Sequence, residues 1–429
     1  MSLTQNEKIS QLTESTMVVG IDIASDRHWA RSFDWRGIEL EKAICFENDA
    51  EGFSHLMAWI RDVAVKENKD KVVIGAEPTG HYWFTMEQYL RNSGIKLVLV
   101  NPHHVKKSKE MDDNHPSKND RKDPKLIARL MLEGRYMLPY IPEGIYAELR
   151  NAMNIRERIV RDMGRIKNQI HRWLKIYFPE YKNVFSDIYG AGSIAILREG
   201  LLPTDLTVLG VEEINAIWRR MKLRAVGMKR AQLLHAAAET SVGCTNGLAV
   251  ARMEMQLLMQ DYDTKFRQHA ELMNVVEALC EQLPETTELL RIRGLGIITV
   301  AGFFAETGDI RRFDSPRQIQ KLAGLAITQN SSGKHQGQSA ISKRGRSRLR
   351  KVLFHMAFKL VGKYGSAEFK KLHRYYTTRE KNPLKKLQSI IAMSCKLIRI
   401  IYAVVTKDCA YDPVKMLADI HRNAPQIAA

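Results

Sequence analysis

The sequence predicts an α/β N-terminal domain, a central helical region with coiled-coil character, and a mainly α C-terminal domain. Three observations lead there. Three short apolar β-type runs alternate with helical patterns through the first third of the chain. Apolar residues at heptad spacing then occupy two stretches of the middle. The last third reads as helical, with a lopsided positive charge. We expect boundaries at 1–145, 146–287 and 288–429, since 429 residues are too many for one ordinary domain.

The first apolar run is MVVGIDIA, Met17 to Ala24, with Asp22 inside it. HWARSFD and KAICFEN read as two antiparallel strands joined by a turn at Trp35-Arg36-Gly37. GFSHLMAWIRDVAVKE has helical periodicity, and KVVIGAE is a short buried strand ending on Glu77. HYWFTMEQYLRNSG is a helix closed by Gly94. IKLVLVN is a third buried strand, ended by Asn101-Pro102. DPKLIARLMLEG is a helix with Pro124 in its first turn and Gly134 at its end. Together these form a mixed sheet flanked by helices.

In the middle, apolar residues fall at 159, 163, 166, 170, 173 and 177. A second seam runs from Met255 through Met259, Tyr262, Phe266, His269, Met273, Val276 and Cys280 to Leu283, and Pro284 ends it. The two helices could pair within one chain or between chains. We expect a homo-dimer or tetramer through this region, because so narrow a seam covers little alone. Residues 180 to 250 read as helical, without an assigned role.

The last segment opens with RIRGLGIITVAGFFAETGDI. It reads as two helices about Gly294-Leu295-Gly296, either a phosphate-facing helix–hairpin–helix or a structural turn. A polar loop around SSGKHQGQS precedes a basic helix. From Lys334 to Lys386 there are sixteen Lys or Arg against two acids, Glu368 and Glu380. A run this lopsided, interleaved with Tyr375 and Tyr376, suits a phosphate backbone. The net charge of +18 points the same way, to a polyanionic partner with nucleic acid first and a membrane surface second.

The start lacks the apolar run of a signal peptide. SIIAMSCKLIRIIYAVV is interrupted by Lys396 and Arg399, so it is not expected to span a membrane. The five cysteines are scattered, without zinc spacing. The expectation is a soluble, cytoplasmic protein with no membrane partner.

Within KNDRKDPKLIARL, Asp120 and Asp123 stand three apart at a helix start, in a strongly basic chain. Asp22 and Glu77 lie in or beside apolar strands, where an unpaired carboxylate is costly. The strands can bring Asp22 and Glu77 to adjacent ends, with the helix packed across them. Four converging carboxylates would repel unless a divalent cation neutralises them. Mg²⁺, or Mn²⁺, takes carboxylate oxygens and leaves positions for phosphate oxygens. Two ions about 3.5–4 Å apart suit phosphodiester cleavage. The plain alternative for Asp120 and Asp123 is a favourable interaction with the helix macrodipole. Asp26, Asp112 and Asp113 read as surface or outer groups.

These motifs (GIDIA, GAEPTGHYW, NPHHVKK, NDRKDPKLIARL) resemble the DEDD transposases of bacterial insertion sequences. That family includes Piv-type DNA invertases and bridge-RNA-guided recombinases. The resemblance continues through RIRGLGIITVAGFFAETGDIRRFDSPRQIQKLAGL and NSSGKHQGQSAISKRGRSRLRKVLFHMA to the KLIRIIYAVV helix. It implies a RuvC-like, ribonuclease-H-type N-terminal domain with Asp22, Glu77, Asp120 and Asp123 as metal-binding acids. It also implies a nucleophilic serine that forms a covalent phosphoserine link to DNA. Ser332 matches that position, with Ser331 and Ser342 as alternatives. Lys334, Lys343, Arg344, Arg346, Arg348, Arg350 and Lys351 would hold nucleic-acid phosphates. The guided members add a noncoding guide RNA that pairs with donor and target DNA. Use at the bacterial nucleoid is implied as well. The family commonly shows a glycine before the basic pair that is reached here through TTREKNPLKK. A metal-dependent, resolvase-like nuclease that makes no covalent link is the alternative enzyme, and a nucleic-acid-binding scaffold is the non-enzymatic one.

Overall fold

Apolar and β-branched runs in the N-terminal part form a six-stranded mixed sheet. The structure is a computed structural model that describes residues 4–112, 123–328, 331–332, 335–336 and 340–421. Asp120, Lys334 and Asp113 therefore lie outside the described residues. The chain divides into two units, the first ending at Ile141 and the second beginning at Pro142.

The first unit opens with α1 (Gln5–Ser10), closed by a reciprocal cap between Thr4 and Glu7. β1 (Thr16–Asp22), β2 (Arg27–Phe33) and β3 (Glu39–Glu47) form an antiparallel meander. The expected turn is present: Asp34 Oδ1 accepts from the N–H groups of Arg36 and Ile38, and Gly37 sits at φ 91°. After α2 (Ala50–Lys66), β4 (Lys71–Ala76) pairs parallel to β1. α3 (Trp83–Asn92) leads to β5 (Leu97–Val100), parallel to β4. Then come α4 (Pro102–Asp112), α5 (Asp123–Leu132) and β6 (Tyr136–Met137), which adds an antiparallel edge. The strand order is β3-β2-β1-β4-β5-β6. This mixed sheet with flanking helices is consistent with the ribonuclease-H-type domain that the resemblance implies.

β1 is covered on both faces, as its near-continuous apolar run requires. Met17, Val19 and Ile21 pack with Leu56 and Ile60 of α2 and Met86 of α3. Val18 joins the opposite core, with Leu126, Ile127, Leu130 and Met131 of α5. α5 lies directly on the strand backbones, because Gly20 and Gly75 are partners in the β1–β4 register. A Cβ on Gly20 would fall 2.0 Å from the Pro124 carbonyl oxygen, and one on Gly75 would fall 2.2 Å from Met131 Sδ. Gly20→Ala should therefore lift α5 and lower stability by about 3 kcal/mol in denaturant unfolding. An unchanged midpoint would contradict this seating.

The second unit is built on two long helices, α6 (Gly144–Tyr177) and α11 (Leu248–Glu281). They pack antiparallel within the chain. Trp173 Nε1 donates to the Ala251 carbonyl at one end, and Leu149 and Ala152 share a core with Val276 and Cys280 at the other. The heptad residues Ile159, Ile166, Ile170 and Trp173 are buried, as are Met255, Met259, Tyr262 and Val276. Phe266, between them, is 60% exposed.

The insert between these helices contains α7 (Tyr181–Val184), α8 (Ala191–Glu199), α9 (Pro203–Arg220) and α10 (Met228–Glu239). α9 is broken at Gly210, whose φ is 73°. Phe178, Tyr181, Phe185 and Trp218 build a core here with Trp173 and Met255 of the long helices. The insert starts and ends at one place. Cys244 N donates to the Ile176 carbonyl, Ser241 Oγ donates to Glu180, and a Cβ on Gly243 would fall 2.0 Å from the Tyr177 carbonyl oxygen.

The chain continues through α12 (Pro284–Leu290), α13 (Ile297–Thr307), a 3-10 turn (Ile310–Arg312) and α14 (Pro316–Leu322). Gly294 at φ 105° makes the turn between α12 and α13. Four two-residue strands follow: β7 (Ile327–Thr328), β8 (Ser331–Ser332), β9 (His335–Gln336) and β10 (Ala340–Ile341). The described residues end with α15 (Ser347–Val361), α16 (Ala367–Thr378), α17 (Lys386–Lys407) and α18 (Pro413–His421). Val300, Phe303 and Phe304 of α13 centre this core with Leu353 of α15 and Leu397 and Ile401 of α17. α17 is long and apolar enough to cross a membrane, but it packs against α14, α15 and α16 as a core helix.

Candidate active site and nucleic-acid interface

The acidic site grows from the carboxyl ends of two parallel strands. Ile21 of β1 pairs with Ala76 of β4, so Asp22 and Glu77 leave the sheet side by side. α5 begins at Asp123 and lies over Gly20, two residues before Asp22. The glycine seat thus brings the helix start toward the strand ends.

Glu77 and Asp123 act on each other electrostatically, and Lys109 of α4 joins them. Lys109 Nζ lies 2.5 Å from Asp123 Oδ2, and the Asp123 side chain is only 15% exposed. Burial pushes the Glu77 carboxyl above its usual range; Lys109 opposes the shift and Asp123 adds to it. Asp22 is partly buried at the neighbouring strand end. Among the described residues, no three His, Cys, Asp or Glu side chains stand close enough to hold a metal ion.

The donor set still suits Mg²⁺ or Mn²⁺ in kind. It consists of hard carboxylate oxygens, two of which share a half-buried pocket of negative charge. The Lys109 ammonium supplies there the positive charge that such a site calls for. Lys109 was not singled out from the sequence. The signal that could have found it was a lysine-rich stretch, HHVKKSKE, lying between the acids in the chain. His28, on β2 near the end of β1, is a core residue, buried against Phe46 and Phe53.

The serine segment reads as a polar loop and folds as two nested ribbons. β7 pairs antiparallel with β10, and β8 with β9, which places Ser332 opposite His335. Ser331 is in the same short strand. Ser342 is at the base, where its N–H donates to the Ala326 carbonyl.

The basic residues after the ribbons divide into two groups. Arg346 and Arg350 face inward: Arg346 donates to the Glu306 carbonyl, and Arg350 to the carbonyls of Ala323 and Lys343. Arg348 pairs with Glu157 at 2.9 Å. Lys343, Arg344 and Lys351 are exposed. Lys343 takes φ 54°, and Gly345 beside it takes φ 150° in close approach to the Leu322 carbonyl. The turn that presents Lys343 and Arg344 is therefore a fixed feature.

A mixed sheet with acids at its parallel strand ends, followed by a basic helical unit, has the make-up of an enzyme acting on nucleic-acid phosphodiesters. Comparison with known proteins narrows this to transposases. A transposase model of the DEDD, IS110 type matches residues 19–179, and one for the IS116/IS110/IS902 transposase family matches residues 286–374. The chain belongs to this family of insertion-sequence transposases. It is 21% identical over 405 residues to the uncharacterized 44.8 kDa protein of insertion element IS116 of Streptomyces clavuligerus, covering 92% of this chain and 96% of that one. It is 23% identical over 340 residues to the transposase for insertion sequence element IS1111A of Coxiella burnetii, covering 79% of each chain. The 42 kDa protein of IS900 of Mycobacterium paratuberculosis is 23% identical over 308 residues, covering 70% of this chain and 74% of that one.

Proposed function

We propose that this transposase excises and inserts a mobile DNA element by serine attack on a DNA phosphate, guided by a noncoding RNA from the element. The observation that carries the chemical half is the cluster of Glu77, Asp123 and Lys109 at the strand ends. Ser332, in the nested ribbons, supports the nucleophilic half. Its Oγ forms an O–P bond as it gives up its proton, the P–O bond to a bridging DNA oxygen breaks, and that oxygen takes up a proton and leaves as a DNA hydroxyl. The phosphoserine ester keeps the energy of the broken bond, so religation needs no high-energy cofactor.

A serine hydroxyl is a weak nucleophile at neutral pH and needs activation. Mg²⁺ or Mn²⁺ held by Asp22, Glu77, Asp120 and Asp123 would supply the charge that activates it and stabilises the leaving oxygen. Lys343, Arg344 and Lys351 hold backbone phosphates, while Arg346, Arg348 and Arg350 brace the segment that presents them. Oligomerisation along α6 and α11 is part of the reading. Phe266 and Leu257 of α11, 60% and 50% exposed, offer apolar surface for a second copy.

The test combines protein, Mg²⁺, labelled element-end DNA, target DNA and RNA transcribed from the element's noncoding flank. Strand exchange that requires the RNA, through a protein-linked DNA strand on a denaturing gel, supports the whole reading. Exchange without RNA would remove the guide and keep the enzyme.

Lys109 gives a separate check on the acids. Its ammonium must yield its position when a divalent cation binds. Lys109→Met should therefore bind Mn²⁺ roughly ten-fold more tightly by calorimetry, equivalent to about 1.4 kcal/mol. It should also melt lower in EDTA, where the carboxylates lose their counter-charge. Weaker Mn²⁺ binding would instead show that Lys109 helps to build the metal site.

A further inference from the structure

Neither family match reaches residues 180–285, so nothing assigns the insert a task. Between residues 180 and 250 the sequence carries eight Lys or Arg and seven Asp or Glu, close to neutral. Six of the eight cations nevertheless fall within residues 219–230: Arg219, Arg220, Lys222, Arg224, Lys229 and Arg230. No acid occurs from Ile214 to Ala238. The charge of the insert is sorted to one end, at the turn between α9 and α10.

All six are exposed, and none has an ion-pair partner among the described residues. Some charges elsewhere in the insert are paired, though Lys182, Glu199, Glu212 and Glu213 form no ion pair among the described residues. Arg198 meets Asp263 at 2.7 Å, and Asp205 meets Arg252 of α11 at 2.6 Å. The loop packed beside the turn, which brings Gly192 against Val226, carries Asp187. That carboxylate accepts from the Tyr189 N–H and caps its own loop.

α10 is charged against its own dipole: Lys229 and Arg230 sit in its first turn, and Glu239 ends it. Cations at a helix start are unfavourable, and helices ordinarily reverse this arrangement. A bound anion offsets that cost and also meets the N–H groups of the first turn. The base of the patch is rigid. The Arg219 guanidinium donates to the Val226 carbonyl, and that of Arg230 to the Val184 carbonyl of α7. Arg220, Lys222, Arg224 and Lys229 project from this base, with Met221 and Met228 exposed among them.

We propose that the α9–α10 turn is a second DNA-binding surface, which grips the phosphate backbone of duplex DNA. The transposase class selects DNA as the polyanion, and the cations with flanking methionines suit phosphate and sugar, with no base reading. The proposal is independent of the serine and metal chemistry.

The test uses the full chain in EDTA, so that no strand is cut. A variant carrying Arg220→Gln, Lys222→Asn, Arg224→Gln and Lys229→Gln keeps the two bracing arginines, and asparagine tolerates the φ of 56° at position 222. A charge-matched control replaces Lys42, Arg61, Lys71 and Lys96 of the first unit with Gln. Binding to a labelled DNA duplex, and separately to a labelled RNA duplex of the same sequence, is followed by anisotropy over a range of NaCl, and both variants are melted to confirm folding. The patch variant should lose ten-fold or more in affinity at low salt. Its log K against log[salt] slope should flatten by up to about 3.6, since each of the four phosphates no longer neutralised removes about 0.9. The control should stay near wild type. Equal losses in both variants, or none in the patch variant, would overturn the proposal. A loss confined to duplex RNA would overturn the assignment to DNA.

Discussion

Ser332→Ala is expected, on the proposed serine mechanism, to remove the covalent protein–DNA link and with it strand exchange, while DNA binding and melting temperature stay near wild type. Alanine suits a two-residue ribbon as well as serine does, so the β8–β9 pairing with His335 survives. The only loss is a hydroxyl, and no water can replace it in a step that must keep the phosphoester energy. Removing a nucleophile in this way should cost about 10⁴-fold or more in rate. Ser342→Ala is the informative companion. That residue belongs to the ribbon base, where its N–H holds the Ala326 carbonyl, and it should retain the adduct. An adduct that survives Ser332→Ala but disappears in Ser331→Ala or Ser342→Ala would move the nucleophile. Cleavage without an adduct in any sample would make the enzyme a hydrolytic nuclease.

The acids should show the opposite pairing of stability and function. Glu77→Gln is expected to lower strand cleavage by about 10³-fold or more, because it deletes a charge from the proposed site of phosphate chemistry. The same change should leave the melting temperature in EDTA equal or higher. Burial penalises the Glu77 carboxylate and Asp123 repels it, so the neutral amide removes both costs. Asp123→Asn should abolish cleavage as well, but it also strips Lys109 of its 2.5 Å partner and should not stabilise. A Glu77→Gln protein that melts lower and cuts normally would reduce these acids to structural groups.

Much of the first unit was legible because its strands are buried on both faces and its helices carry wide apolar stripes. β1, β4 and β5 come from runs with no other use, and α5 from apolar residues at 126, 127, 130 and 131. α4 was not foreseen, since Val105 is its one buried residue among those whose side chains are described. Its start is set by Asn101, whose Oδ1 accepts from the His103 N–H. β6 is two residues long and has no pattern of its own. The glycine pair was visible as glycines inside strands, but their register, which makes one seat of two positions, depends on pairing that spacing does not contain.

The site shows the same division. Asp22 and Glu77 were readable as carboxylates in apolar strands, and Asp123 as an acid at a helix start. Lys109 was not, because a lysine on a basic helix looks like surface charge until its neighbours are known. The heptad seams were readable, but their pairing within one chain was not, since heptads are indifferent to whether the partner helix is covalently attached. The expected glycine before the basic pair also has a physical resolution. Asn382 takes φ 54° there, a left-handed conformation that asparagine tolerates, so a non-glycine residue makes the turn.

The closed neck of the insert has a consequence for the order in which the second unit assembles. Ile176 and Cys244 are bonded across it, so the residues from Phe178 to Ser241 begin and end at one point. If that piece collapses first around Phe178, Tyr181, Phe185 and Trp218, the start of α11 is delivered beside the end of α6. Pairing then begins between Trp173 and Ala251 and spreads like a zip toward Leu149 and Cys280. Each further step closes only a small additional loop, so a hairpin whose arms are distant in sequence forms with the kinetics of a local one. A slow refolding phase should follow when the neck is loosened, even where the finished helices pack unchanged.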